Sequence, residues 1–176
     1  MDKVELAKLL ELAEHHFQLN DYQNSKTILR KITTSDPRNS RANELLAYIY
    51  GNQGNADCSY AFLELACKDE NCSPESLYYL GVAKLDRARF KDAIYILNKA
   101  INKAGEFFEA LHDLATAHAF LGETQISLRC YQKCLNLRKD SPELHFNLAR
   151  IYDELKHFDD ALVHYDQALN LKPDYI

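Results

Sequence analysis

Apolar residues recur along this chain at helical spacing, stop, and recur again. In the last stretch Leu144, Leu148, Ile151, Tyr152 and Leu155 form one stripe. After a break at Lys156–His157, Phe158, Ala161, Leu162, Tyr165, Ala168, Leu169 and Leu171 form a second. Two stripes joined by so short a break predict a helical hairpin. The pattern returns every 34 residues: Leu12, Leu46, Leu80, Leu114 and Leu148 are each followed by a small residue, namely Ala13, Ala47, Gly81, Ala115 and Ala149. Phe90–Ile94 reads FKDAI, and two periods later Phe158–Leu162 reads FDDAL. The phase never slips, so the units run 6–39, 40–73, 74–107, 108–141 and 142–175, one array filling 1–176.

Starts and stops agree with the stripes. Ser73 and Ser141 each stand before a proline at the first helical position, where a serine cap and a preset φ both favour a helix start. Between the paired helices stand Asn20, Gly54, Ala88, Gly122 and Lys156; glycine and asparagine tolerate the left-handed conformation that ends a helix. Hairpins this tight need little side chain where the helices cross. Ser25, Ser59, Ala93, Ser127 and Ala161 supply it on each second helix. Leu29, Leu63, Leu97, Tyr131 and Tyr165 are large enough to fill the space between neighbouring hairpins. No hairpin buries its own apolar face, so stability comes from stacking.

This combination resembles the tetratricopeptide repeat family, whose unit has 34 residues with Leu-Gly/Ala in the first helix and alanine and aromatic residues in the second. Leu148, Ala149, Tyr152, Phe158, Ala161, Tyr165, Ala168 and Pro173 all fall in register. Departures are local: Asn71, Gly105 and Lys139 stand where Pro37 and Pro173 do, Ile32 and Cys134 replace the late alanine, and Lys84 replaces a tyrosine or histidine. The resemblance implies an all-α, right-handed α-solenoid of five helix-turn-helix repeats. It also implies that first helices line a concave groove holding an extended peptide or partner segment.

Register places Arg41, Glu44, Tyr48, Glu75, Tyr78, Glu109, His112, Phe120, Glu143, Phe146 and Arg150 on that surface, with Leu10, Glu14, Phe17, Thr116, Asp153 and Glu154 beside them. Acids outnumber bases and aromatics are interleaved, which suits a partner carrying lysine or arginine on an apolar segment. A solvated helix face rich in glutamate is the plainer explanation for any one of these acids. A chaperone-type carboxylate clamp is not expected, because its places carry Leu10, Glu14, Glu75 and Tyr79. Nor is an asparagine ladder, because that column reads Glu11, Leu45, Tyr79, Asp113 and Asn147.

Charge and cysteine content narrow the function further. A net charge of −5 and a pI near 5.8 argue against nucleic acid or an anionic membrane as the main partner. No apolar run approaches the roughly 18 residues of a membrane span, and the first residues read as an amphipathic helix, with no cleaved-signal pattern. The 5 cysteines show no spacing that suggests a disulfide framework or a zinc site, so a reducing cytoplasm is the expected setting. His16 and His118 share a column with Tyr50 and Tyr152, which makes them packing residues with a polar tip. No phosphate-cradling loop or nucleophile motif is present, so neither a metal, a cofactor nor catalysis is expected.

The expected function is a non-catalytic scaffold that binds a protein or peptide. Alternatives are an N-terminal recognition or oligomerisation segment of a larger glycosyl-, sulfo- or methyltransferase, and self-association through an uncovered last helix. Gly51 on a first helix, with Asn43 in a column otherwise held by Leu9, Leu77, Leu111 and His145, suggests a loosely packed second unit in preference to a close ligand approach.

Overall fold

The computed structural model describes residues 1–174; the end of the fifth unit, Tyr175, lies outside them. Among the described residues there are ten helices and no strand: α1 (Lys3–Gln18), α2 (Tyr22–Ser35), α3 (Ser40–Asn52), α4 (Ala56–Ala66), α5 (Pro74–Leu85), α6 (Phe90–Ala104), α7 (Phe108–Phe120), α8 (Thr124–Leu137), α9 (Pro142–Glu154) and α10 (Phe158–Leu171). The fold is an all-α repeat of helical hairpins. The chain divides inside α5 into two compact units, Met1–Leu80 and the remainder from Gly81.

Every hairpin turn is built alike. Asn20, Gly54, Ala88, Gly122 and Lys156 all take positive φ, between 54° and 73°. The next residue, Asp21, Asn55, Arg89, Glu123 or His157, donates its backbone N–H to a carbonyl five positions back, at 2.9 Å in each case. This closure satisfies a carbonyl that the helix end would otherwise leave bare. The acceptors are His16, Tyr50, Lys84, His118 and Tyr152, so the column that packs inside the hairpin also supplies its lock. Ser73 and Ser141 cap α5 and α9 through their side-chain oxygens, as their sequence context implies. Asp21, Asn39 and Asn55 do the same for α2, α3 and α4.

In the first unit α1 packs on α2 and α3, and α3 packs on α4. Its core gathers Ala13, Leu29, Ile32, Ala42, Leu45, Leu46, Ile49 and Tyr50. Leu12 departs from its column: it is 45% exposed, whereas Leu46 is fully buried. The crossings of helix on helix carry hydrogen bonds as well as small side chains. Ser25 donates its hydroxyl to the carbonyl of Ala13, and Ser59 donates to that of Ala47, both at 2.9 Å. Asn43 is fully buried, and its amide donates to the carbonyls of Pro37 and Asn39. It tethers the loop before α3 to the helix, and its carbonyl oxygen finds no partner. Cys67 and Cys72 are joined as a disulfide after α4. The cysteine spacing did not suggest this pair; the turn between them brings their Cα atoms to 4.9 Å.

In the second unit the end of α5 meets α6 at Gly81, α6 packs on α7, α7 on α8, α8 on α9, and α9 on α10. Its core includes Leu111, Ala115, Tyr131, Cys134, Leu144, Leu148 and Ile151. Ser127 repeats the crossing bond, donating to the Ala115 carbonyl at 2.8 Å. The α9–α10 hairpin holds a histidine pair. His145, 5% exposed, has its Nε2 at 2.9 Å from the Lys139 carbonyl, which makes that nitrogen the donor. Its Nδ1 therefore accepts from His164 Nδ1, also at 2.9 Å. Among the described residues no helix is long and apolar enough to cross a membrane.

Candidate functional site

In the first unit the first-helix faces carry an ion-pair relay. Arg41 Nε donates to Glu14 at 2.6 Å, linking α3 to α1, and its Nη1 lies 3.4 Å from Glu44. Burial opposes the charge on Arg41, but the hydrogen bonds and charges of Glu14 and Glu44 outweigh it and hold its pKa above the ordinary value. Glu44 also accepts the backbone N–H of Ser73 at 2.6 Å, and its side chain is only 8% exposed. A carboxylate already holding a guanidinium and a backbone N–H is a structural tie between α3 and the start of α5. Tyr48 packs edge-on against Phe17 at 5.1 Å and keeps part of its ring in solvent. Tyr78 lies 5.4 Å from Tyr79, and Glu75 is exposed.

In the second unit the first-helix faces of α7 and α9 enclose a cavity of about 350 Å³. His112, Phe120, Glu143 and Arg150 line it together, with Thr116 and Glu154. Tyr131 reaches in from α8, and its hydroxyl meets Thr116 Oγ1 at 2.9 Å. Burial pushes the Tyr131 phenol up to about 12, against the opposing Thr116 hydrogen bond, so the group stays neutral at physiological pH. Asn147 Nδ2 lies 3.1 Å from His112 Nε2, which makes that nitrogen the acceptor and puts the imidazole proton on Nδ1, facing Asp113 at 3.6 Å. Phe120 is 67% exposed at the cavity rim and stacks on Phe90 at 4.8 Å.

In the second unit two expected site residues fall outside the cavity. Glu109 pairs with Arg138 at 2.8 Å, while the Arg138 guanidinium covers the Phe108 ring at 4.0 Å. Its carboxyl is held below the usual value, first by the backbone N–H at its own position and then by Arg138. Phe146 turns toward α10 and packs edge-on against Tyr165 at 5.8 Å.

The tetratricopeptide repeat model matches residues 106–174, which include α7 to α10. The backbone overlays that of MamA with a TM-score of 0.76 at 20% identity, over 92% of this chain and 94% of that one. It overlays YrrB, described as a TPR protein with an unusual peptide-binding site, with a TM-score of 0.84 at 17% identity, over 95% and 86%. The tetratricopeptide match thus covers α7 to α10, and the likeness in fold extends over nearly the whole chain. No curated protein sequence matches it.

Within the tetratricopeptide register, Asp113 and Asn147 are the cavity residues that the surface reading passed over. Both stand in the column weighed only as an asparagine ladder, where Glu11, Leu45 and Tyr79 break the pattern. Their signal in the sequence is that an acid and an amide occupy that column in two successive repeats. Tyr131 packs between hairpins, and its hydroxyl end is also cavity wall.

Proposed function

We propose that this chain is a non-catalytic protein-interaction module that holds an extended peptide or partner segment against the first helices of its repeats. The α7–α9 cavity carries this reading, because it is concave, mixed in polarity and edged by an exposed aromatic ring, the kind of surface on which partners anchor. The repeat fold supports it, as does the peptide-binding site in the description of YrrB. In the first unit, taken by itself, Tyr48 and Tyr78 offer aromatic surface on first helices, while Arg41 and Glu44 hold those helices in place. Fluorescence anisotropy with a panel of labelled peptides, mixing basic and apolar residues, tests the reading. Phe120→Ala should weaken the best binder by about tenfold, with Gln125→Ala on α8 unchanged. Equal affinity for native protein and Phe120→Ala would refute it.

A second reading, self-association through α10, is favoured by the exposure of Phe158, Leu162 and Val163 on that helix. Light scattering over a concentration series decides it: a mass that stays at one chain removes self-association.

A further inference from the structure

Three first-helix carboxylates are already paired with arginine. Glu14 and Glu44 hold Arg41, and Glu109 holds Arg138. The α7–α9 cavity is different. Asp113, Glu143 and Glu154 line it, and among the described residues none of them lies within ion-pair distance of a lysine or arginine. The His112 ring lies between two of them, with Nδ1 3.6 Å from Asp113 and Nε2 4.0 Å from Glu143. Arg150 brings one guanidinium against three carboxylates, so acids outnumber permanent positive charges in the cavity lining.

Its apolar wall fits a flat cation. Phe120 already stacks one face on Phe90, so its other exposed surface is available at the rim. The Tyr131 hydroxyl is occupied by Thr116 and stays uncharged. The side chain of Asn147 keeps its carbonyl oxygen as an acceptor while its amide nitrogen serves His112. Acceptors therefore come from both α7 and α9 beside an aromatic face.

We propose that this cavity receives the guanidinium of one arginine in the bound segment. The assignment rests on the peptide-binding reading above and sharpens it to a single residue class. Arginine suits the site better than lysine, because a planar fork of five donors can serve carboxylates on two helices while its face lies on a ring. An ammonium is a compact, strongly hydrated charge and cannot use the wall in that way. The preference of this protein for basic partners is thus set at one position.

The test uses the intact chain and three small probes, N-acetyl-arginine methylamide and its citrulline and lysine counterparts, at fixed ionic strength. Amide NMR titration should show saturable shifts at Asp113, Thr116, Phe120 and Asn147 with the arginine probe. Citrulline, which has the same shape without the charge, should give none, and lysine should bind several-fold more weakly. Glu143→Gln and Asp113→Asn should each weaken the arginine probe by about fivefold to tenfold, while the outer-surface change Glu106→Gln leaves it unaltered. Equal shifts with citrulline, or an arginine response indifferent to both cavity variants, would overturn the proposal. Lysine binding as tightly as arginine would overturn the guanidinium assignment. If neutral apolar peptides still shift α7 and α9 in those cases, the peptide-binding reading survives alone; if no peptide shifts them, both fall.

Discussion

Replacing glycine by alanine at two positions should change stability in opposite directions. In both α3 and α5 the substitution removes backbone freedom from the unfolded chain, a gain of up to about 1 kcal/mol in a helix. At Gly81 an added Cβ would meet Cγ and Cδ2 of Leu97 at 2.7 Å. Carbon atoms prefer about 3.5–4.0 Å, so the overlap is roughly 1 Å. Leu97 is fully buried and has nowhere to swing. Overpacking of that kind costs about 1–3 kcal/mol, which leaves Gly81→Ala a net loss of about 1 kcal/mol. At Gly51 the new Cβ would meet only Ser59 Oγ, at 3.4 Å, which is ordinary contact. Gly51→Ala should therefore stabilise by about 0.5–1 kcal/mol, lessened by its place in the last turn of α3. Urea unfolding followed by circular dichroism gives the two midpoints. If both variants gain stability equally, the α5–α6 crossing is not closed by the missing side chain, and the packing argument fails.

Ala88 holds the left-handed turn that glycine holds at positions 54 and 122. Ala88→Gly should raise stability by about 1 kcal/mol despite the added freedom of the unfolded chain, measured by the same unfolding curves. The histidine pair predicts acid sensitivity. Burial, and then the nearby His145, lower the pKa of His164 from its usual 6.5, while Asp160 on the same helix opposes the shift. Protons therefore favour the unfolded chain: the contribution is present above pH 6.5 and is lost as pH falls through the folded-state value. Tyr152 stacks on His164 at 5.5 Å, and His157 stacks on Tyr152 from the turn. Installing the apolar residues of the equivalent columns, His145→Leu with His164→Ile, should reduce the loss between pH 7 and pH 5. An unchanged loss would place the acid sensitivity elsewhere.

The hairpins were legible because their signals are local. Turn residues at a fixed spacing, a serine before each of two prolines, and small residues at the crossings act within a few positions of themselves. The serine at three crossings was legible only as a small residue. Its bond to a carbonyl 12 residues earlier depends on how two helices meet, which the residue type does not state. The same limit applies to Glu44. A glutamate in a first-helix column reads as a solvated or ligand-seeking acid until Ser73 and Arg41 are seen around it. Site residues divided for the same reason: column position put His112, Phe120, Glu143 and Arg150 on one surface. It could not show that Arg138 would occupy Glu109 or that Asp113 and Asn147 would close the cavity.

The most direct measurement of the account is paramagnetic broadening by an arginine-containing peptide that carries a spin label beside the arginine. Amide signals of Asp113, Thr116, Asn147 and Arg150 should broaden, while those of Arg129 and Gln132 on α8 stay sharp. Broadening centred on α8 or α10, with α7 and α9 untouched, would contradict the claim that first helices receive the partner.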